Sequence, residues 1–236
     1  MPEIEQLPAG SSRQRHHLNH QAIEDYLKTI FDLSLEEMPV STSRLAEARD
    51  VRPASVTSML QRLESLNLVN YEKHYGVSLT EAGRKLALEV IRHHRLIELY
   101  LMEALGFSWD EVHEQAEILE HVISEKLEER ISEVLEDPKF DPHGAPIPSK
   151  EGTITRRETA PLVTFGPGDQ VRVARISQDE DVEMLRYLAE IGLVPGVEMQ
   201  ISSTAPFEGP VTVVIDGVQV VVGYNVASAV EVEVTG

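Results

Sequence analysis

The stretch VHEQAEILEH, residues 112–121, places two histidines and three glutamates within ten positions. Wound as a helix at 100° per residue, His113, Glu117, Glu120 and His121 fall within one arc of about 100°. Val112, Ala116, Leu119, Ile123 and Leu127 form an apolar stripe beside that arc. Upstream, HHRLIE sets His94 and Glu98 four residues apart, so both project from one helical face. Glu24 and Asp25 lie at the boundary of the apolar stripe of an earlier helix. Imidazole nitrogens with several carboxylate oxygens and no sulfur suit a borderline-to-hard divalent ion such as Mn²⁺ or Fe²⁺, and Zn²⁺ also takes such donors. A solvated acidic face beside a core stripe has the same composition, so the rest of the chain must decide between the two readings.

Enzyme chemistry is not expected. Di-metal helical bundles place a glutamate three residues before a ligand histidine; here the residues three before His94, His113 and His121 are Ile91, Asp110 and Ile118. No nucleophile elbow, glycine-rich phosphate loop or HExxH motif is present. The chain has no cysteine, which removes thiolate metal sites and disulfides and fits a reducing cytosol. The first twenty residues lack an apolar signal-peptide core, and the most apolar stretch, VTVVIDGVQVVV, is interrupted by Asp216 and Gly217. A cytoplasmic protein without a membrane partner is therefore expected.

The formal net charge of −19 would ordinarily argue against nucleic acid, but its distribution matters more. Residues 93–137 hold thirteen acidic against three basic side chains, whereas residues 41–90 hold six against seven. The acid is concentrated where the histidines are, and a dense block of carboxylates attracts cations.

Several elements must position these groups. Residues 1–20 read as a polar tail. AIEDYLKTIFDLSL carries helical apolar spacing, and Ser41 or Thr42 can cap a short helix over 43–49. A second short helix opens on Pro53 with Val56, Met59, Leu60 and Leu63 behind it, which makes a helix-turn-helix pattern. Two strands flank His74-Tyr75-Gly76 as a wing, and Thr80 can cap a long helix ending near Gly106. Ser108 to Glu111 form a capping box for a helix read as continuing to about Leu135. The proline-rich, aperiodic stretch that follows reads as a linker, and the chain after residue 160 is β-rich, with Asp216-Gly217 as a two-residue hairpin turn and a short helix at DVEMLRYLAEIG. The pattern predicts a mainly α protein with a small β domain. Its parts are a winged helix-turn-helix over 21–91, a helical metal-binding and dimerisation domain over 92–140, a linker over 141–160, and an SH3-like barrel over 161–236.

That order of parts, with the stretches AIEDYLKTIFDL, RPASVTSMLQRLE, GVSLTEAGRKLA, HHRLIE and VHEQAEILEH, resembles the diphtheria-toxin-repressor family of metal-dependent regulators, including its manganese-sensing branch. EIGLVPG followed by VTVVIDG is similar to the ferrous-iron-transport accessory (FeoA-type) domain carried by longer members. The resemblance implies a primary, activating metal site at Asp25, Glu117, Glu120 and His121. It implies an ancillary site at His94, Glu98 and His113, with a further donor from the barrel at Gln178 or Asp181. Iron-sensing members have methionine at the position of Asp25 and cysteine at that of Glu117; oxygen donors there favour Mn²⁺, with Fe²⁺ second and Zn²⁺, Co²⁺ or Cd²⁺ able to substitute in vitro. Short manganese sensors have a glutamate where this chain has Lys28, so their closely spaced two-metal arrangement is not implied.

The expected function is that of a homodimeric, metal-dependent repressor of metal-homeostasis genes on palindromic double-stranded operator DNA. Arg52, Pro53, Ser55, Thr57, Ser58, Gln61 and Arg62 are candidates for the recognition helix, and Lys73, His74 and Tyr75 for wing contacts to phosphate. Helix capping by the hydroxyls and a solvated face for Arg62 are the alternatives to those roles. A winged-helix regulator sensing a small molecule, or an accessory protein whose β domain docks a metal transporter, are the alternative functions.

Overall fold

The computed structural model describes residues 12–235. The chain divides into two compact units between Ile91 and Arg92. In the first unit, helix α1 (Ser12–Ser34) buries Ile23, Tyr26, Leu27, Ile30 and Phe31 at the predicted spacing. It starts well before the residue 21 expected for it. No glycine or proline interrupts SRQRHHLNH, so the helix propagates through residues read as tail, while residues 1–11 lie outside the described part.

Ser41 caps α2 (Thr42–Ala48) by accepting a hydrogen bond from the Arg44 amide at 3.2 Å. Extended Arg52 leads into α3 (Pro53–Ser65), with the proline in the first turn, where no amide donor is needed. Leu45 and Ala46 of α2 and Val56, Leu60 and Leu63 of α3 are buried. Strands β1 (Val69–Glu72) and β2 (Gly76–Leu79) pair antiparallel from Val69↔Leu79 to Glu72↔Gly76, and Val40 exchanges two backbone hydrogen bonds of 2.9 Å with Val77. The winged helix-turn-helix is thus present as read. Thr80 caps α4 (Glu81–Leu105) through the Gly83 amide, and a Cβ on Gly83 would stand 1.9 Å from the Leu68 carbonyl oxygen, so only glycine admits this approach.

In the second unit, α4 continues past Arg92 and is followed by α5 (Val112–Leu119) and α6 (Glu125–Val134). A single helix to Leu135 was expected; instead the chain turns at residues 120–124. The amides of Val122 and Ile123 both return to the Leu119 carbonyl, Ser124 goes extended, and its side chain caps α6 through the Leu127 amide. Glu120 is thus the C-cap of α5, still with helical dihedrals, and His121 stands in the turn that follows. Leu96, Leu99, Ile131 and Ile147 make one small core, and Ile97, Leu101, Val112 and Ala116 another.

The expected linker is not a spacer at its start. Asp141, His143, Ala145 and Ile147 are all buried. The Asp141 carboxylate accepts from the amides of His143 and Ala145, and residues 140 and 146 form an isolated β-bridge. Gly144 (φ +85°) lets the chain pass where a Cβ would lie 2.0 Å from the Ala174 carbonyl oxygen.

The C-terminal domain is an antiparallel sheet of six strands in the order β3-β8-β4-β5-β6-β7. These are β3 (Ala160–Pro161), β4 (Gln170–Ile176), β5 (Glu198–Thr204), β6 (Val211–Ile215), β7 (Val218–Val222) and β8 (Val230–Val234). Helix α7 (Val182–Glu190) connects β4 to β5, and α8 (Tyr224–Ala229) connects β7 to β8. Register shifts in β4 and β5 curl the sheet over an aliphatic core, and Asp216 and Gly217, both at positive φ, make the hairpin turn that was read. Among the described residues no helix is long and apolar enough to cross a membrane.

Candidate metal centre

Helix α4 delivers His94 and Glu98 from the same face, and both are buried. The two ring nitrogens of His94 face carboxylates, Nε2 lying 2.9 Å from Glu98 Oε1 and Nδ1 lying against Glu120 Oε2. From α5, His113 Nδ1 comes within 3.2 Å of both Glu98 Oε1 and His94 Nε2, while Glu117 Oε1 is 3.7 Å from His94 Nδ1. Glu117 is 41% exposed, so this set opens toward solvent on one side. In the turn after α5, Glu120 is buried and its Oε1 is 3.4 Å from His121 Nε2. The residues singled out in VHEQAEILEH therefore converge with His94 and Glu98. Glu120 keeps helical dihedrals as the C-cap of α5, its amide bonded to the Ala116 carbonyl, so the helix end itself aims its buried carboxylate at His94.

A second group lies behind the first. One ligand atom each from Glu98, Asp141 and His143 lies within 4.8 Å of the others, and all three residues are buried; His94, His113 and Glu117 meet the same distance condition, with only His94 buried. His143 Nε2–H donates to the Trp109 carbonyl at 2.8 Å, which directs Nδ1 toward Glu98 Oε2, 3.8 Å away. Both His143 Nδ1 and Asp141 Oδ2 are buried, and among the described residues neither makes a close hydrogen bond: Nδ1 faces Glu98 Oε2 at 3.8 Å and Oδ2 faces Arg95 Nε at 3.5 Å. Buried polar atoms without close hydrogen bonds are rare in folded proteins, and a histidine fixed by a carbonyl on its far nitrogen is the common arrangement of a metal ligand. The donor set, imidazole and carboxylate without sulfur, fits a hard or borderline divalent cation.

The electrostatics follow from the packing. Burial would raise the Glu98 pKa, but the charge of His94 and the imidazoles of His113, His143 and His94 facing its oxygens prevail and hold it well below the usual carboxylate range. Asp141 is pushed up to about 6 by burial first and by the Glu98 charge second, against Arg95 and His143. Burial opposes charge on His143, yet its contact with the Glu98 carboxylate and the charges of Glu98 and Asp141 raise it to about 9.

The barrel-side residues fare differently. Gln178 and Asp181 are exposed, and Asp181 Oδ1 accepts from the Met184 amide as the N-cap of α7. Asp179, between them, is the acid of this loop whose charge reaches Asp141. Sequence reading missed Asp141 and His143 because they sit in an aperiodic, proline-rich stretch. The available signal was a histidine and an aspartate around the tight Pro142–Gly144 turn, in a chain otherwise suited to oxygen and nitrogen ligation.

Asp25 lies on α1 in the first unit, half-buried, with its carboxylate held by Arg49 at 2.8 Å. Arg52, the N-cap of α3, and Pro53, Ser55, Ser58 and Gln61 within it are exposed, and Thr57 and Arg62 are half-buried. Thr57 and Ser58 donate to the carbonyls of Pro53 and Ala54, as hydroxyls within a helix commonly do. Lys73, His74 and Tyr75 are exposed at the wing tip, where His74 takes a positive φ of 71°.

A winged helix-turn-helix followed by a buried, sulfur-free imidazole–carboxylate centre and a small β-barrel defines a metal-regulated DNA-binding protein. Three family models match in sequence order: the iron-dependent repressor N-terminal DNA-binding domain over residues 20–77, the iron-dependent repressor metal-binding and dimerisation domain over 80–149, and the FeoA domain over 160–234. The chain belongs to the iron-dependent, diphtheria-toxin-repressor family of transcriptional regulators. It is 34% identical to the iron-dependent repressor IdeR of Mycobacterium tuberculosis over 222 residues, covering 89% of this chain and 96% of that protein. It is 31% identical to the diphtheria toxin repressor of Corynebacterium efficiens, covering 89% of this chain and 94% of that one. Among solved structures, a manganese-dependent transcriptional repressor in complex with manganese matches with a TM-score of 0.84 and 38% identity, over 90% of this chain and all of that one (100%).

Proposed function

We propose that this member responds to Mn²⁺, with Fe²⁺ as the second ion, and represses metal-homeostasis genes by binding palindromic operator DNA as a homodimer. The observation that carries the metal assignment is the ligand chemistry: carboxylates and imidazoles supply every donor, and no thiolate or thioether enters the set. The resemblance of the sequence supports Asp25, Glu117, Glu120 and His121 as the primary ligands. The buried group supports a revised ancillary site of Glu98, Asp141 and His143, flanked by His94 and His113. Asp181 is engaged in capping α7, so Asp179 is the preferred barrel-side acid, with Gln178 as the neutral candidate. A bound divalent ion supplies positive charge to a segment dense in carboxylates. Linkage between Asp25 of the DNA-binding unit and ligands of the dimerisation domain would couple metal occupancy to the spacing of two recognition helices, which half-sites one helical turn apart demand.

The homodimer is supported by the match to a dimerisation domain and by Ile118, Val122 and Leu127, exposed by 61%, 70% and 52% around the α5–α6 turn. Expected contacts to DNA are those of Arg52, Ser55, Ser58, Gln61 and Arg62 in the groove and of Lys73 and Tyr75 at the wing. The test measures operator binding of metal-stripped protein against free Mn²⁺, Fe²⁺ (anaerobically), Zn²⁺, Co²⁺ and Cd²⁺. Mn²⁺ should promote binding at the lowest free concentration relative to its cellular supply. Operator affinity that is independent of every ion would sink the reading.

A further inference from the structure

The Asp25 carboxylate already has a cation. Arg49 Nη2 donates to Asp25 Oδ2 at 2.8 Å, and the two side chains are only 30% and 16% exposed. The guanidinium carbon also lies 5.5 Å from the centroid of the Tyr26 ring, itself buried in the core of the unit. Arg49 is not a floppy surface residue: its backbone is the C-cap of α2, with its amide returned to the Leu45 carbonyl and the following Asp50 amide returned to that of Glu47. A planar guanidinium fixed by a helix end, an aromatic face and a carboxylate is well placed to hold that carboxylate and poorly placed to drift away.

We propose that Arg49 is a resident competitor for Asp25 that sets the metal concentration at which the protein responds. The inference rests on Asp25 being a primary metal ligand. Arg49 must give up the Asp25 oxygen it holds before that oxygen can ligate a metal ion, so part of the intrinsic metal affinity is spent on breaking the pair. The competition acts on the carboxylate and not on the ion. It therefore raises the threshold for all divalent ions by a common factor and leaves their order unchanged. Selectivity stays with the donor types, and sensitivity is tuned separately by an arginine that touches no metal.

The experiment is a direct titration of the full-length protein with Mn²⁺ and, separately, Cd²⁺, read as metal bound at equilibrium, with thermal unfolding as a check on the fold. Asp25→Asn identifies the sites that depend on the carboxylate. Arg49→Gln should tighten those same sites by about three- to tenfold for both ions, the range expected for loss of a partly exposed, charge-assisted pair. Arg49→Lys, which keeps the charge but loses the planar fork, should fall between the two and carries the test if Arg49→Gln is poorly folded. Unchanged or weaker binding in Arg49→Gln, with Asp25→Asn binding lost, overturns the competitor role and would make Arg49 an orienting partner of a ligated Asp25. Unchanged binding in Asp25→Asn overturns the ligand role of Asp25 and, with it, the proposal.

Discussion

At the residue scale, the centre is defined by where each nitrogen and oxygen is already engaged. His143 has one ring nitrogen committed to the Trp109 carbonyl and the other facing Glu98, whereas Asp181 spends an oxygen on the Met184 amide. The two residues therefore should respond differently to truncation. His143→Ala and Asp141→Asn should each weaken the ancillary metal by more than about tenfold, while Asp181→Ala should cost the ~1 kcal/mol of a lost helix cap and leave metal stoichiometry intact. Equilibrium dialysis with Mn²⁺ alongside thermal melts separates these outcomes. Metal loss in Asp181→Ala without loss in His143→Ala would return the barrel-side ligand to the position first read from sequence.

At the element scale, α3 presents its polar side outward because Val56, Leu60 and Leu63 claim the opposite side for the core. Ser58 and Arg62 can then be altered without touching the core or the metal centre. Ser58→Ala or Arg62→Ala should lower operator discrimination by about 1–3 kcal/mol and leave metal binding unchanged; full affinity at moderate salt in either variant would take that residue out of the groove. Much of this part was legible beforehand, since Ser41, Pro53 and Thr80 are local signals that act within one helical turn of where they stand. The misread helix end and the misread linker have a shared cause. In HVISEK the one local signal is Ser124, which caps α6, and a lone serine within a periodic helical pattern does not by itself announce a stop. Likewise Asp141 and His143 gain their role only from α4 and from the Trp109 backbone, far away in sequence, and a proline-rich composition conceals such long-range packing. Asp25 was legible as a ligand candidate, but Arg49 as its partner was not, because an ion pair between α1 and α2 leaves no periodic trace.

At the scale of the whole molecule, the charge imbalance has a structural home. The acidic helices and the barrel share the second unit, and the nearly neutral stretch 41–90 contains the helix-turn-helix, so a protein of net charge −19 still offers phosphate a surface it can approach. Within the second unit, helical part and barrel are joined through Trp109: its ring packs against the barrel core, its carbonyl holds His143, and the neighbouring Asp110 pairs with Arg186 of α7 at 2.7 Å. Trp109 is also the sole tryptophan of the chain, and its indole nitrogen is buried without an acceptor. The intrinsic ultraviolet emission of this protein is therefore the optical signal of one junction and needs no label. In native buffer that emission should be blue and move red in urea when the barrel parts from the helices. Because His143 is tied to the same carbonyl, Mn²⁺ should push the midpoint of that spectral shift to higher urea, and a midpoint indifferent to Mn²⁺ would show that barrel docking and the ancillary centre are uncoupled.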